Sequence, residues 1–296
     1  MGANLKEVRE RIKSVISTQQ ITKAMKMVSA AKFRKAQQAI VQVRPYADRL
    51  NIMLQNITAN SDGSENLAYN YKREVNNVLL VIVTSTRGLC GAFNTNVVKS
   101  AIATIDEKYL TAYKEGKLNV LCIGKKGYDG LKRRYPKANY NIDNIDLIQH
   151  LSFEDVAKVS EAVMEQFVTK QYDEVVVAYS RFKNAAMQFA EVEQFLPIEK
   201  AEASQTKRKR ADYIFEPDQK TLLETLIPNI LQLQFFKYLL DTHASEHGAR
   251  MTSMDKATEN AEELLKVLKI NYNKARQESI TNELLEIVAG AAALEG

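Results

Sequence analysis

Residues 3–44 read ANLKEVRERIKSVISTQQITKAMKMVSAAKFRKAQQAIVQVR and contain neither glycine nor proline. A stretch of this length rich in Ala, Lys, Glu, Gln and Met favours helix. Its apolar residues recur at alternating spacings of three and four, the signature of a heptad seam. The seam runs Leu5, Val8, Ile12, Val15, Gln19, Thr22, Lys26, Ser29, Phe33, Ala36, Ile40, Val43, Ala47, Leu50, Leu54, Ile57. Its four polar members are consecutive, and Ile21, Met25 and Val28 form a shifted stripe beside them. The packing face is therefore expected to rotate between Gln19 and Ser29. Pro45 is expected to kink the helix or force a local bulge.

The other end mirrors the first. From residue 218 to 296 only Pro228, Gly248, Gly290 and Gly296 interrupt. Leu223, Leu226, Ile230, Leu233, Leu240, Ala244, Met251, Met254, Ala261, Leu265, Leu268, Tyr272 and Ala275 keep one seam, broken at Lys237, His247 and Thr258. Residues 1–60 carry 11 basic and 3 acidic side chains, whereas residues 218–296 carry 8 and 12. A helix of net charge +8 beside one of −4 predicts that the two pair with each other. Antiparallel pairing with the first helix starting near Ala275 would make paired residue numbers add to about 275, and would leave the rest of the last helix projecting alone.

Between the helices the pattern changes. Residues 78–83, VLLVIV, form a buried-strand run, with similar runs at 119–123 and 174–179. Residues 94–114 and 153–170 have helical periodicity, so strand and helix alternate as in a parallel α/β sheet. Residues 187–195 alternate like an antiparallel edge strand, and the basic run at 207–210 before Tyr213 reads as a solvated loop. The expected architecture is α/β with long helices: an antiparallel coiled coil of the N- and C-terminal helices (1–60 and 218–296) with an inserted α/β, Rossmann-like domain at 70–215.

Composition narrows the function. Of 296 residues 45% are hydrophobic and 26% charged, too apolar for a disordered chain. The longest apolar runs fall far short of the roughly 18 residues that cross a bilayer. The charged N-terminus lacks the apolar stretch of a signal peptide. Cys90 and Cys122 have no metal-ligand spacing, which points away from zinc ribbons and disulfide scaffolds.

Three features were candidates for chemistry. The loop Thr84-Ser-Thr-Arg-Gly-Leu-Cys-Gly91 places glycines at a strand-to-helix turn, where amides can cradle phosphate, but it lacks the GxGxxG and P-loop spacings. A tight turn is the better reading there, and Gly124-Lys-Lys-Gly127 is weaker still. His243-Ala-Ser-Glu-His247 matches the HxxEH pattern of inverted zinc proteases, yet its helix already uses this stretch in a seam. Two structural histidines are the expectation, with a zinc hydrolase as the alternative. The basic first helix fits a coiled-coil nucleic-acid-binding protein, but only Phe33 and Tyr46 offer aromatic stacking there.

Ile21-Thr-Lys-Ala-Met-Lys-Met-Val28, Arg87-Gly-Leu-Cys-Gly91, Ser245-Glu-His-Gly-Ala-Arg-Met251, Asn271-Tyr-Asn-Lys-Ala-Arg-Gln277 and Glu286-Ile-Val-Ala-Gly-Ala-Ala-Ala293 decide between these readings. Together they closely resemble the gamma subunit of bacterial F-type ATP synthases. The resemblance covers both terminal helices and is looser over 60–74 and 125–215. It implies a non-catalytic rotor shaft in a proton-translocating enzyme, without catalytic residues, cofactor or metal. The implied partners are the alpha and beta subunits of the catalytic ring, the epsilon subunit and the membrane rotor ring, with no nucleic acid. The implied location is the cytoplasmic face of the bacterial plasma membrane, as a peripheral protein. Arg250 and Gln277 match positions that contact beta-subunit loops in this family. Thr281 lies one turn beyond Gln277, and Met25 sits in the shifted stripe; all four are expected partner contacts.

Overall fold

The computed structural model describes residues 5–60, 69–71, 73–185, 187–198 and 219–295. Two helices dominate the chain, α1 (Leu5–Asn60) and α6 (Gln219–Glu295). Both run through their prolines, Pro45 and Pro228, as single assigned helices. The chain divides into two compact units. One comprises Met1–Ser29 with Met251–Gly296, the other Ala30–Arg250.

In the first unit the two helix segments run antiparallel. The Arg9 guanidinium donates to the Tyr272 hydroxyl at 2.8 Å, the Thr22 and Thr258 hydroxyls meet at 2.9 Å, and Lys26 pairs with Asp255. This register lies about six residues further toward the C-terminus of α6 than the expected one. The expected rotation of the packing face does not occur. Thr22 and Ser29 are buried, whereas Ile21 and Val28 of the shifted stripe are 57% and 59% exposed. The seam runs straight through its polar members, two of which face a polar group on α6: Thr22 meets Thr258 and Lys26 meets Asp255. Each hydroxyl also has a carbonyl of its own helix within reach, Gln19 for Thr22 and Met254 for Thr258, so one threonine donates across the seam while the other donates to its own helix.

The second unit is an α/β sandwich. Its sheet has the order β3-β2-β1-β4-β5, from β1 (Val78–Val83), β2 (Leu118–Ile123), β3 (Asn139–Asn141), β4 (Glu174–Phe182) and β5 (Gln188–Leu196). All pairs are parallel except β4 with β5, the expected antiparallel edge. Strand alternation divides the core into two layers. Leu79, Val81 and Val83 face α5 (Phe153–Val168) and the Ile227–Leu239 stretch of α6. Val78, Leu80 and Ile82 share the opposite layer with Val97, Ala101 and Leu131, contributed by α2 (Phe93–Thr104) and α4 (Lys125–Arg134). Residues 94–114, expected as one helix, are divided by a π-helical turn at Ile105–Tyr109 before α3 (Leu110–Lys114).

Helix α4 and strand β3 were not foreseen. Gly127 and Gly130 argue against helix by propensity, but they let α4 pack tightly. A Cβ at Gly127 would lie 3.0 Å from Thr84 Oγ1, and one at Gly130 would lie 2.9 Å from the Val98 methyls. Residues 207–210 and Tyr213 lie outside the described residues.

Candidate functional site

Strand β1 ends in a loop whose conformation is fixed from inside. Ser85 Oγ donates to the Arg87 carbonyl at 2.6 Å, and the Ser85 amide donates to Asn94 Oδ1 at 3.0 Å. Asn94 Nδ2 in turn donates to Ser85 Oγ at 2.7 Å and Cys90 Sγ at 3.1 Å. Between these ties Leu89 holds φ +64°, a left-handed conformation that costs a branched side chain on the order of 1 kcal/mol or more. Its side chain is 64% exposed. At 124–127 two backbone amides are already engaged inside the protein. There the Gly124 amide donates to the Ile145 carbonyl and the Gly127 amide to Thr84 Oγ1.

Helix α6 passes beside this loop within the second unit. Thr242 Oγ1 accepts the Ser180 amide at 3.2 Å and Ser245 Oγ donates to the Ser180 carbonyl at 3.3 Å, which ties the helix to β4. Gly248 permits the approach, since a Cβ there would lie 3.2 Å from the Ala185 carbonyl oxygen. Two residues on, Arg250 is only 8% exposed. Its Nη2 donates to the Arg87 carbonyl at 3.1 Å and the Gly88 carbonyl at 3.2 Å. Its Nη1 donates to Glu246 Oε1 at 2.7 Å, an ion pair with both side chains buried. A guanidinium only donates, so His247 Nδ1, 3.4 Å from Arg250 Nη1, accepts. The His247 proton then sits on Nε2, 3.2 Å from His243 Nε2.

The HxxEH residues thus serve Arg250. The carboxylate that a hydrolase would aim at a water is engaged by a guanidinium, and the two ring nitrogens face each other. Among the described residues no group of three or more His, Cys, Asp or Glu is placed to hold a metal ion. Burial, with the charges of Lys32, Arg250 and Lys35, pushes His243 down to about 4. Burial, followed by His243, Arg250 and Lys32, pushes His247 down to about 3. Burial raises Glu246, against the opposing pull of Arg250.

The remaining expected site residues lie in the first unit. Met25 is half-buried, while Gln277 and Thr281 are exposed. Thr281 Oγ1 donates to the Gln277 carbonyl at 2.9 Å. From Arg276 to Ala291 every described residue except Ser279 is exposed, including Ile280, Leu284, Leu285, Ile287 and Val288. Leu89 and the loop carbonyls escaped the sequence reading. The signal was present, in that the Arg87–Gly91 and Ser245–Met251 motifs are both characteristic, but nothing in the sequence joins them.

Two long helices at the ends of the chain and a five-stranded α/β unit between them in sequence define the class: an α/β protein with paired terminal helices. The comparisons agree. The family model described as ATP synthase matches residues 4–294. The chain is 54% identical to the ATP synthase gamma chain of Cytophaga hutchinsonii over 98% of its own length and 99% of the relative's. It is 50% identical to that of Christiangramia forsetii, over 99% and 100%. Among solved structures it shares the fold of a chain in the Euglena gracilis mitochondrial ATP synthase OSCP/F1/c-ring assembly, with TM-score 0.66, 24% identity, and 98% and 94% of the two chains covered. The chain belongs to the ATP synthase gamma-chain family, whose members are central-stalk components and not the catalytic subunit. The nucleic-acid alternative finds no support among these matches.

Proposed function

We propose that this chain is the rotor shaft of a proton-translocating ATP synthase, turning with a membrane ring and imposing different nucleotide affinities on successive beta subunits. The observation that carries the reading is the end of α6. From Arg276 to Ala291 the helix lies beyond the described part of its partner segment and, Ser279 apart, is exposed, with apolar residues among those exposed. An isolated helix of this kind is costly in water and suits a surrounding protein collar. Small side chains at Ala289, Gly290 and Ala291 suit a bearing, because they make no directional bonds that each step must break. Met25, Gln277 and Thr281 are the proposed contacts to beta-subunit loops, and Arg250 belongs to the same machinery. The shaft alters affinity only by the difference in contact free energy between rotary states. No described helix is long and apolar enough to cross a membrane, so the reading is of a peripheral subunit. Its proposed place is the cytoplasmic face of the plasma membrane, between the alpha and beta ring on one side and the epsilon subunit with the membrane ring on the other.

The test is to tag the chain in its own cell, extract membranes with mild detergent, and identify the accompanying subunits by mass. Recovery with alpha, beta, epsilon and ring subunits is expected. Recovery with none of them overturns the reading.

A further inference from the structure

We propose that the cleft between α1, α6 and the β4–β5 hairpin is a binding site for a small phosphate compound carrying two or more negative charges, held by Arg44, Lys183 and Lys237. All its residues belong to the second unit. The inference goes beyond the rotor-shaft reading and does not depend on it.

The cleft encloses about 530 Å³, within the range of small-molecule sites. Its floor is fixed by two buried tyrosines. The Tyr179 hydroxyl donates to Glu193 Oε1 at 2.5 Å, and Gln234 Nε2 donates to the Tyr238 hydroxyl at 2.7 Å. Its walls are cationic, with Arg44, Arg181, Lys183 and Lys237 against two carboxylates, Glu193 and Asp241. Arg181 is neutralised from outside the cleft, because its Nε lies 2.9 and 2.8 Å from the two oxygens of Glu191. Three cations from three elements then face two acids. One acid is a poor counter-ion: Asp241 is buried, and its pKa rises to about 6 against the attraction of Arg44 and Lys237. Arg44 reaches it only at 3.3 and 3.5 Å, through Nη2, which also donates to the Phe182 carbonyl at 2.9 Å. Among the described residues the bonds of Arg44 all run through that one nitrogen, so the rest of the fork is available to an oxyanion. Lys183 sits 5.8 Å from the Phe189 ring, a contact that leaves its charge intact. A single carboxylate does not balance this set, whereas a phosphate compound brings two or more charges in a small volume. On entering it competes with Asp241 for Arg44, and the displaced acid takes up a proton.

Titration calorimetry on the purified full chain tests this, with pyrophosphate and ADP as separate probes at constant potassium chloride. One-to-one binding of at least one probe is expected, tighter than about 1 mM, with a matching rise in melting temperature. Similar affinity for both supports an inorganic diphosphate as the source, and clearly tighter ADP supports a nucleoside diphosphate. Lys183→Gln and Lys237→Gln should each weaken binding about fivefold or more. Arg44→Lys, which keeps the charge but loses the fork, should weaken it by a similar factor. Asp241→Asn should instead tighten binding about threefold or more, because the competitor for Arg44 is gone. A purely structural role for these residues gives no such gain. If Arg44→Lys is too unstable to purify, the two lysine variants and Asp241→Asn decide alone. Three results overturn the proposal: no heat and no melting shift with either probe up to about 5 mM, binding undiminished in every cation variant, or weaker binding in Asp241→Asn.

Discussion

Asp241 is a buried acid whose pairing does not offset its burial. Arg44 donates to it at 3.3 Å, yet burial raises its pKa to about 6 against the attraction of Arg44 and Lys237. A raised acid stabilises the fold only where it is protonated, so above pH 6 its charge costs up to about 3 kcal/mol. Arg44 is more than a third exposed and keeps its bond to the Phe182 carbonyl. Asp241→Asn should therefore raise stability at pH 7.5 by roughly 1–2 kcal/mol, read from urea midpoints. His243 and His247 act with the opposite sign. Their folded values, about 4 and about 3, lie below the usual 6.5, so the stability they contribute is complete above pH 6.5 and is lost as pH falls toward 4. Over the same window Asp241 and Glu246 gain protons preferentially in the folded state and oppose that loss. His243→Gln should flatten the acid limb of a stability profile by on the order of 2 kcal/mol at pH 5. Asp241→Asn should steepen it.

At the scale of elements, Gly124 has the least latitude. It holds φ +96° at the turn from β2 into α4, and a Cβ there would lie 2.0 Å from the Thr84 carbonyl oxygen. Backbone must move to admit any side chain. Gly124→Ala should cost roughly 3–5 kcal/mol and lower the melting temperature of the chain by at least about 5 °C in a thermal scan. The elements also show what could be read beforehand. Buried strands of consecutive apolar residues and glycine-free helices announce themselves, because propensity and burial agree in them. Helix α4 does not, since Gly127 and Gly130 are chosen for close packing against Ile82 and Val98, which lie elsewhere in the chain. The straight seam through Thr22 and Lys26 was hidden for a related reason. Whether a polar residue can sit in an interface depends on its partner, and Thr258 and Asp255 are more than 200 residues away. The motif around Arg250 was legible in the sequence, but its carbonyl acceptors, 162 and 163 residues distant, were not.

For the whole molecule, the rotor reading separates directional contacts from bearing surfaces. Gln277 is exposed on the lone stretch of α6 and offers an amide for hydrogen bonds, each worth about 1 kcal/mol. Gln277→Leu should lower ATP turnover and proton pumping of the reconstituted complex severalfold. Removing residues 292–296, Ala-Ala-Leu-Glu-Gly, should cost less, because Glu295 is the one side chain there that can make a directional bond. A truncation that abolishes turnover while Gln277→Leu is silent would reverse the assignment of torque and bearing.

The antiparallel pairing of the chain's two ends has a consequence for its synthesis. Arg9 and Tyr272 are separated by 263 residues, so the segment that bears Arg9 leaves the ribosome long before its mate. At about 5–20 residues per second the delay is roughly 13–50 s. Closing so long a loop also carries an entropy cost of about 5 kcal/mol before any contact compensates it. Throughout that interval Leu5, Val8, Ile12 and Val15 have no native partner. The nascent chain is then an amphipathic helix with an open apolar stripe, and its heavy positive charge, which repels other copies of itself, is the feature that keeps it from associating before its partner arrives.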